Sequence, residues 1–305
     1  MTVSAPRVVA QEVTPMSFHR SVEQLPHLGL GISTEYGAAQ AERALCIDET
    51  YRRFPNYTRF LEVGVEVSKG LDPDALRWVQ ADRPTTYHFL DINLDEPEDF
   101  DAGWLDDVKR LIELMKPAWL CGDAGMWHFG PRDRGHMLLL PPVLTDSAAS
   151  ALASGVRKLA EETGLFVLPE NPPGHVFLGD MHLLEFFAHV TEQADTGMLL
   201  DCAHLAIYQN QQGLPPLAGF DDFPFERIVE LHVAGGSTHA HDGYAYIEDD
   251  HCPTVLPDTW TIFEEVVART PNLKAVVFEC ERNGLEEALP GFQRIESTLS
   301  ELRGW

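Results

Sequence analysis

Short apolar runs alternate with longer amphipathic stretches along this chain. The runs are Leu28 to Ile32, Phe60 to Val65, Thr86 to Leu90, Ala118 to Cys121, Leu165 to Leu168, Met198 to Leu200, Ile228 to Val233 and Ala275 to Phe278. Apolar segments of this length predict strands buried on both faces, as in a parallel sheet. Between them, residues 104–115 set Trp104, Leu105, Val108, Leu111, Ile112 and Met115 on one helical face. Residues 148–163, with Thr145, Asp146 or Ser147 as a cap, and 181–193, opened by Asp180, read as helices too. A last helical stretch, 285–302, follows Asn283-Gly284, and Pro290 is expected to divide it. No Ser/Gly-rich linker interrupts the alternation, so a single α/β domain is expected: a TIM-like (β/α)8 barrel over 25–305, behind an N-terminal extension of residues 1–24. A doubly wound sheet is the alternative, weakened because Gly29-Leu30-Gly31 lacks the third glycine and helix-opening context of a dinucleotide-binding turn.

Polar residues stand where the apolar runs stop. His88, Asp123, Glu170, Asp201, His232 and Glu279 fall at or near the C-terminal ends of the expected strands, which in a barrel is the catalytic face. An unpaired buried carboxylate costs several kcal/mol, so packing alone explains such placement poorly. Asp201 by itself also reads as a helix N-cap. Taken as a set, Glu170, Asp201, His232 and Glu279 point to a shared metal site. His88 reads either as a ligand or as a core histidine. Asp123 and His128, flanking Ala124 to Trp127, fit a loop over the site or a structural turn. Glu230 and His232, two apart, share one face of their strand. Asp249 and His251 lie in a loop where they can converge on one ion, and His204 follows Asp201 closely. Carboxylate and imidazole without thiolate suit iron, manganese or zinc. Two longer stretches, Phe129 to Leu144 and Ala234 to Pro257, are expected to be irregular loops over the mouth.

Composition narrows the classes. With 48 acidic against 22 basic residues the formal charge is −26, which repels nucleic acid and anionic lipid and favours cationic ligands. The five cysteines form no CxxC pair and no regular framework, which argues against a disulfide scaffold or a zinc ribbon, and Cys202 and Cys280 read as packing residues. Met1 to Gln24 contains no apolar segment long enough for a secretory signal or membrane span, so a cytoplasmic enzyme is the expectation.

At these residues the chain resembles the DUF692 family of multinuclear non-haem iron-dependent oxidases, whose relatives include the methanobactin-biosynthesis oxidase. The likeness spans roughly Leu28 to Pro290. It is carried by Glu170-Asn171 after a strand, Leu199-Leu200-Asp201, Glu230 to Gly235, Ile247 to His251 with Val255 and Trp260 following, and Phe278-Glu279. The resemblance implies a xylose-isomerase-like TIM barrel, two or three iron ions, and dioxygen as co-substrate. It implies as substrate a cysteine or other residue, such as the C-terminal one, of a ribosomally made peptide, and a partner protein that binds the leader. It makes His88, Asp123, Glu170, Asp201, His232, Asp249, His251 and Glu279 iron ligands, with Asn171 and Glu230 as further ligands or supporting groups. The chain departs from the pattern in five places, one of them Asn210-Gln211-Gln212-Gly213 where an Asn-His-Gly is customary. Phe89 to Asn93 replaces a Gly- and Ser-containing run, Ala124 and Gly236 stand where histidines are customary, and Cys202-Ala203-His204 replaces an Asn-rich run. A dinuclear site, or a trinuclear one rebuilt with His128 and His204, follows from these departures. A divalent-metal sugar isomerase or epimerase on the same barrel is the competing expectation; it calls for an acid/base lysine, and no strand-end lysine is evident.

Overall fold

All eight apolar runs form parallel strands, and the strands close on themselves. The computed structural model describes residues 17–96, 99–129 and 138–305. The barrel strands are β1 (Gly29–Glu35), β2 (Leu61–Val65), β3 (Thr85–Phe89), β4 (Leu120–Asp123), β5 (Val167–Glu170), β6 (Met198–Asp201), β7 (Ile228–Ala234) and β10 (Ala275–Glu279). They follow chain order around the ring, with β10 pairing both β7 and β1. The helices are α1 (Phe18–Val22), α2 (Ile47–Arg53), α3 (Pro73–Gln80), α4 (Ala102–Met115), α5 (Asp146–Thr163), α6 (Leu183–Ala194), α7 (Cys202–Gln212), α8 (Pro257–Arg269) and α9 (Leu285–Arg303). Strands with apolar side chains on both faces need this arrangement, because one face meets the helices and the other fills the barrel.

Two apolar clusters result. The larger lies between strands and helices. The smaller gathers Phe60, Trp119, Cys121, Leu168, Leu199, Val229 and Val277, and Phe18 and Val22 of α1 pack onto it. Residues 17–24, placed by sequence ahead of the barrel, thus contribute two fully buried side chains to its floor. Residues 1–16 lie outside the described residues.

Three local expectations are corrected. Helix α6 is capped by His182, whose Nδ1 accepts from the Leu184 N–H, rather than by Asp180. Helix α9 runs through Pro290 undivided. The proline is the sixth residue of that helix, so its missing N–H removes one bond, while Phe292 packing on Phe278 and Tyr57 holds the segment down. The stretch 234–257 is not irregular throughout, since it contains an antiparallel hairpin of β8 (Ser237–His241) and β9 (Tyr244–Glu248). Its turn is Asp242-Gly243, both at positive φ, the two-residue geometry that matches strand twist. Of the stretch 129–144, residues 130–137 lie outside the described residues. Among the described residues, no helix is long and apolar enough to cross a membrane.

Candidate metal centre

The strand ends bring one type of chemistry to one place. Asp123, Glu170, Asp201 and Glu279 are the last residues of β4, β5, β6 and β10. Register sets Asp123 beside Glu170 and Asp201 beside His232. Asp201 is also the N-cap of α7, its Oδ1 accepting from the His204 N–H, while its Oδ2 stands 3.9 Å from His232 Nδ1. Asp249 and His251 arrive from the segment after β9. That segment crosses the end of β7 closely enough that a Cβ on Gly235 would stand 1.9 Å from the Cys252 carbonyl oxygen. The cavity there is about 250 Å³ and open at the mouth, and seven carboxylates and three histidines are among its lining residues. Among the described lining residues there is no lysine or arginine. A larger hollow of about 780 Å³ lies outside the barrel, between α6 and residues 219–227, and none of the ligand groups below falls in it.

Nitrogen and oxygen atoms crowd together in the walls of this cavity and just behind its lining, where Asp201 and His232 are fully buried. His88 Nε2 stands 2.8 Å from Glu170 Oε2, and His232 Nδ1 stands 3.3 Å from both Glu170 Oε1 and Glu279 Oε1. His204 Nε2 is 3.0 Å from Asp249 Oδ2, and its Nδ1 lies 3.6 Å from Asp123 Oδ1 and Glu170 Oε1. His251 Nε2 is 3.6 Å from Asp249 Oδ2 and 3.7 Å from Glu279 Oε2. Yet Asp123 Oδ1, Glu170 Oε1, Asp201 Oδ2, Asp249 Oδ1, Glu279 Oε2 and His232 Nδ1 are buried without an aligned hydrogen bond. Buried polar atoms in folded proteins are nearly always satisfied, so a concentration of orphans demands a common partner. Two donors on one ion, with bonds of about 2.1 Å, stand roughly 3.0–3.4 Å apart. The separations of His232 Nδ1 from Glu170 and Glu279 fall in that range, and the residues present fit a cluster of divalent ions. The triads that converge are His88–Asp123–Glu170, Glu170–Asp201–His204, Asp201–His232–Glu279 and Glu62–His88–His232, with Glu62–Cys121–Glu230 as a fifth around the deeper Glu230.

Electrostatics agree with the geometry. Burial alone would strip the imidazoles of their protons, but the carboxylates override it. His88 is held up to about 9 by its Glu170 hydrogen bond and by Glu62. His204, His232 and His251 are likewise pushed well up by Asp201 and Asp249, by Glu62 and Glu279, and by Glu281 and Glu279 respectively. Burial drives Asp201 up to about 7, with Glu279 and Glu170 adding to it against His204. The imidazoles therefore hold protons where a cation would sit, and cation binding displaces them and strengthens as pH rises.

Of the residues singled out by sequence, His88, Asp123, Glu170, Asp201, His204, His232, Asp249, His251 and Glu279 are brought together. His128 is not. Its Nε2 lies 2.8 Å from Asp99 Oδ2, both side chains fully buried, and it does not line the cavity. Asn171 is buried behind Asp201, where its Nδ2 donates to the Asp201 carbonyl and its Oδ1 accepts the Asp201 N–H. It clamps β5 to β6. Asn171→Ala orphans both backbone groups and is expected to cost roughly 2–4 kcal/mol in denaturant unfolding. Glu230 sits one layer deeper than His232, its Oε2 accepting from Trp119 Nε1 at 2.6 Å. Two carboxylates escaped the sequence reading. Glu62 of β2 reaches within 2.8 Å of His232 Nε2, and Glu281 accepts from His251 Nδ1 at 2.8 Å. A charged residue inside the apolar run Phe60 to Val65 was the available signal for Glu62.

Comparison with known proteins follows the same lines. The chain is 26% identical over 204 residues to a UPF0276 protein of Acaryochloris marina, covering 66% of this chain and 71% of that one. It is 22% identical over 286 residues to a UPF0276 protein of Neisseria gonorrhoeae, covering 91% and 94%. Among solved structures it resembles a xylose isomerase-like TIM barrel protein from Mycobacterium smegmatis in complex with magnesium, with TM-score 0.57, 12% identity and coverage of 92% and 98%. It also resembles endonuclease IV from Thermus thermophilus, with TM-score 0.52, 14% identity and coverage of 90% and 99%. At such identities these two likenesses carry the fold alone. Residues 42–301 match the profile described as RiPP precursor modification enzyme MbnB/TglH/ChrH, and with the barrel and its strand-end cluster in hand, the chain belongs to that family, the DUF692 family.

Proposed function

We propose that this chain is a multinuclear non-haem iron oxidase that uses dioxygen to modify a residue, a cysteine or the C-terminal one, of a ribosomally made precursor peptide, delivered with a leader-binding partner protein. The observation that carries this reading is the group of buried, orphaned carboxylate and imidazole atoms at the barrel mouth, in a chain whose family modifies such peptides. Two or three iron ions would supply one-electron redox chemistry and oxygen activation there. His88, Asp123, Glu170, Asp201, His204, His232, Asp249, His251 and Glu279 would hold them. Leu90, Trp127, Leu139 and Pro173 line the same cavity and give it an apolar side against which a peptide side chain can pack. Ser33, Thr34 and Glu35 of β1 also line it and offer polar contacts to an entering peptide. The acidic lining favours a substrate segment that is neutral or basic. The sugar isomerase reading lacks its acid/base lysine among the described lining residues.

Anaerobic purification followed by metal quantification and Mössbauer or EPR spectroscopy tests the proposal. The expected result is more than one iron per chain, and oxygen consumption on addition of a precursor peptide encoded nearby. A protein that takes up only zinc or magnesium and consumes no oxygen sinks it, and turnover of a keto sugar without oxygen turns the assignment to the isomerase.

A further inference from the structure

Each of two site histidines presents one ring nitrogen to the cluster and the other to a single carboxylate outside the ligand set that the sequence suggests. His251 Nε2 faces Asp249 and Glu279, while its Nδ1 donates to Glu281 Oε1 at 2.8 Å. His232 is turned the other way. Its Nδ1 faces Glu170, Glu279 and, at 3.9 Å, Asp201, while its Nε2 is 2.8 Å from Glu62 Oε1.

Both outer carboxylates are held from behind. Glu62 Oε2 accepts from Thr86 Oγ1 at 3.2 Å and from Cys121 Sγ at 3.1 Å. Glu281 Oε2 accepts from Ser33 Oγ at 3.2 Å. Both line the cavity wall, and neither can reorient without breaking these bonds. The backbone of His251 is fixed as well. It has φ of 48°, in the left-handed region that a non-glycine residue rarely takes, and Asn283 Nδ2 donates to its carbonyl.

An imidazole can bind a cation through either nitrogen, and the hydrogen bond made by the other nitrogen selects which. A cation takes the nitrogen that faces more oxygens. On that count His251 binds through Nε2 and His232 through Nδ1.

We infer that Glu281 and Glu62 are positioning residues that set opposite tautomers, Nδ1–H for His251 through the hydrogen bond to Glu281, and Nε2–H for His232, whose Nε2 has Glu62 as its close but unaligned carboxylate contact. The inference rests on the metal-site reading above and goes beyond it, since it assigns roles to two carboxylates and a specific nitrogen to each histidine. It also separates Glu62 from the ligand role that its proximity to His88 and His232 allows.

The test uses the full chain loaded with zinc, a diamagnetic probe, and labelled with 15N at histidine. Long-range 1H–15N spectra, assigned with His251→Gln and His232→Gln, are expected to show a proton on Nδ1 of His251 and on Nε2 of His232, with zinc on the opposite nitrogens. Reversed tautomers at full zinc occupancy overturn the inference and leave the metal site standing. A chain that takes up no divalent ion overturns both. Glu281→Leu and Glu62→Leu, which remove the acceptor, are expected to weaken zinc binding roughly 10–100-fold by chelator competition, while Glu281→Gln and Glu62→Gln retain most of it. Loss of one whole zinc equivalent in a folded Glu62→Gln chain makes Glu62 a ligand and refutes its positioning role. Where a leucine variant does not fold, the tautomers of the native chain and the glutamine variants still decide.

Discussion

Glu170→Ala is expected to empty the site of at least one ion and to lower peptide-dependent oxygen consumption roughly 10³-fold or more, well beyond the effect of removing a group that only orients a ligand. Glu170 is the residue that the largest number of site histidines approach. Its Oε2 meets His88 Nε2, and its Oε1 lies between His204 Nδ1 and His232 Nδ1. It belongs to two of the converging triads, so its loss weakens both. Burial works against its charge, but His232 and His88 hold its carboxyl well below the usual range. A depressed carboxylate contributes stability above its ordinary pKa, and that contribution is lost as pH falls. The metal-free alanine variant should therefore also unfold at lower denaturant near neutral pH than the metal-free native chain. Metal content per chain and oxygen uptake are the readouts. A Glu170→Ala chain with full metal content and unchanged turnover would remove Glu170 from the centre of the site.

The barrel was legible because its strands are buried on both faces. Such strands write themselves as uninterrupted apolar runs, and every one of the eight runs became a barrel strand. The strand-end residues were legible for the complementary reason, that a carboxylate closing an apolar run has no packing explanation. What stayed hidden depended on partners distant in sequence. His128 has a spacing that suits a loop over the mouth, but Asp99, from the connection between β3 and α4, captures its ring. Asn171 sits next to a central carboxylate, and only the β5 to β6 pairing shows that its amide closes on the backbone of Asp201. His204 looked like a departure from a family pattern; as the third residue of α7 it is carried back over the mouth, where it meets Asp249. Glu281 was hidden because a residue two beyond a strand end points at nothing until the β9 to α8 segment folds over it.

Glu230 makes the second large prediction, and its sign can be worked out. Its side chain is fully buried beneath the cluster, one oxygen taken by Trp119 Nε1 and the other without a partner. Burial and the charge of Glu62 push its carboxyl from 4.5 up to about 8. In the metal-free chain it is thus mostly protonated at neutral pH, whereas in the unfolded chain it is ionised. The folded state binds the extra proton, so stability from this group is full below about pH 4.5 and is lost as pH rises to about 8. Glu230→Gln copies the protonated form: one amide oxygen still accepts from Trp119, and the amide nitrogen replaces the hydroxyl. The variant is expected to match the native chain near pH 4.5, where both carry a neutral side chain, and to exceed it by a few kcal/mol, at most, near pH 8. Urea unfolding of the metal-free proteins across that window measures the difference. Parallel pH profiles for the two chains would mean that Glu230 is ionised at neutral pH, and would shift it from the neutral floor of the site to a charged participant in it.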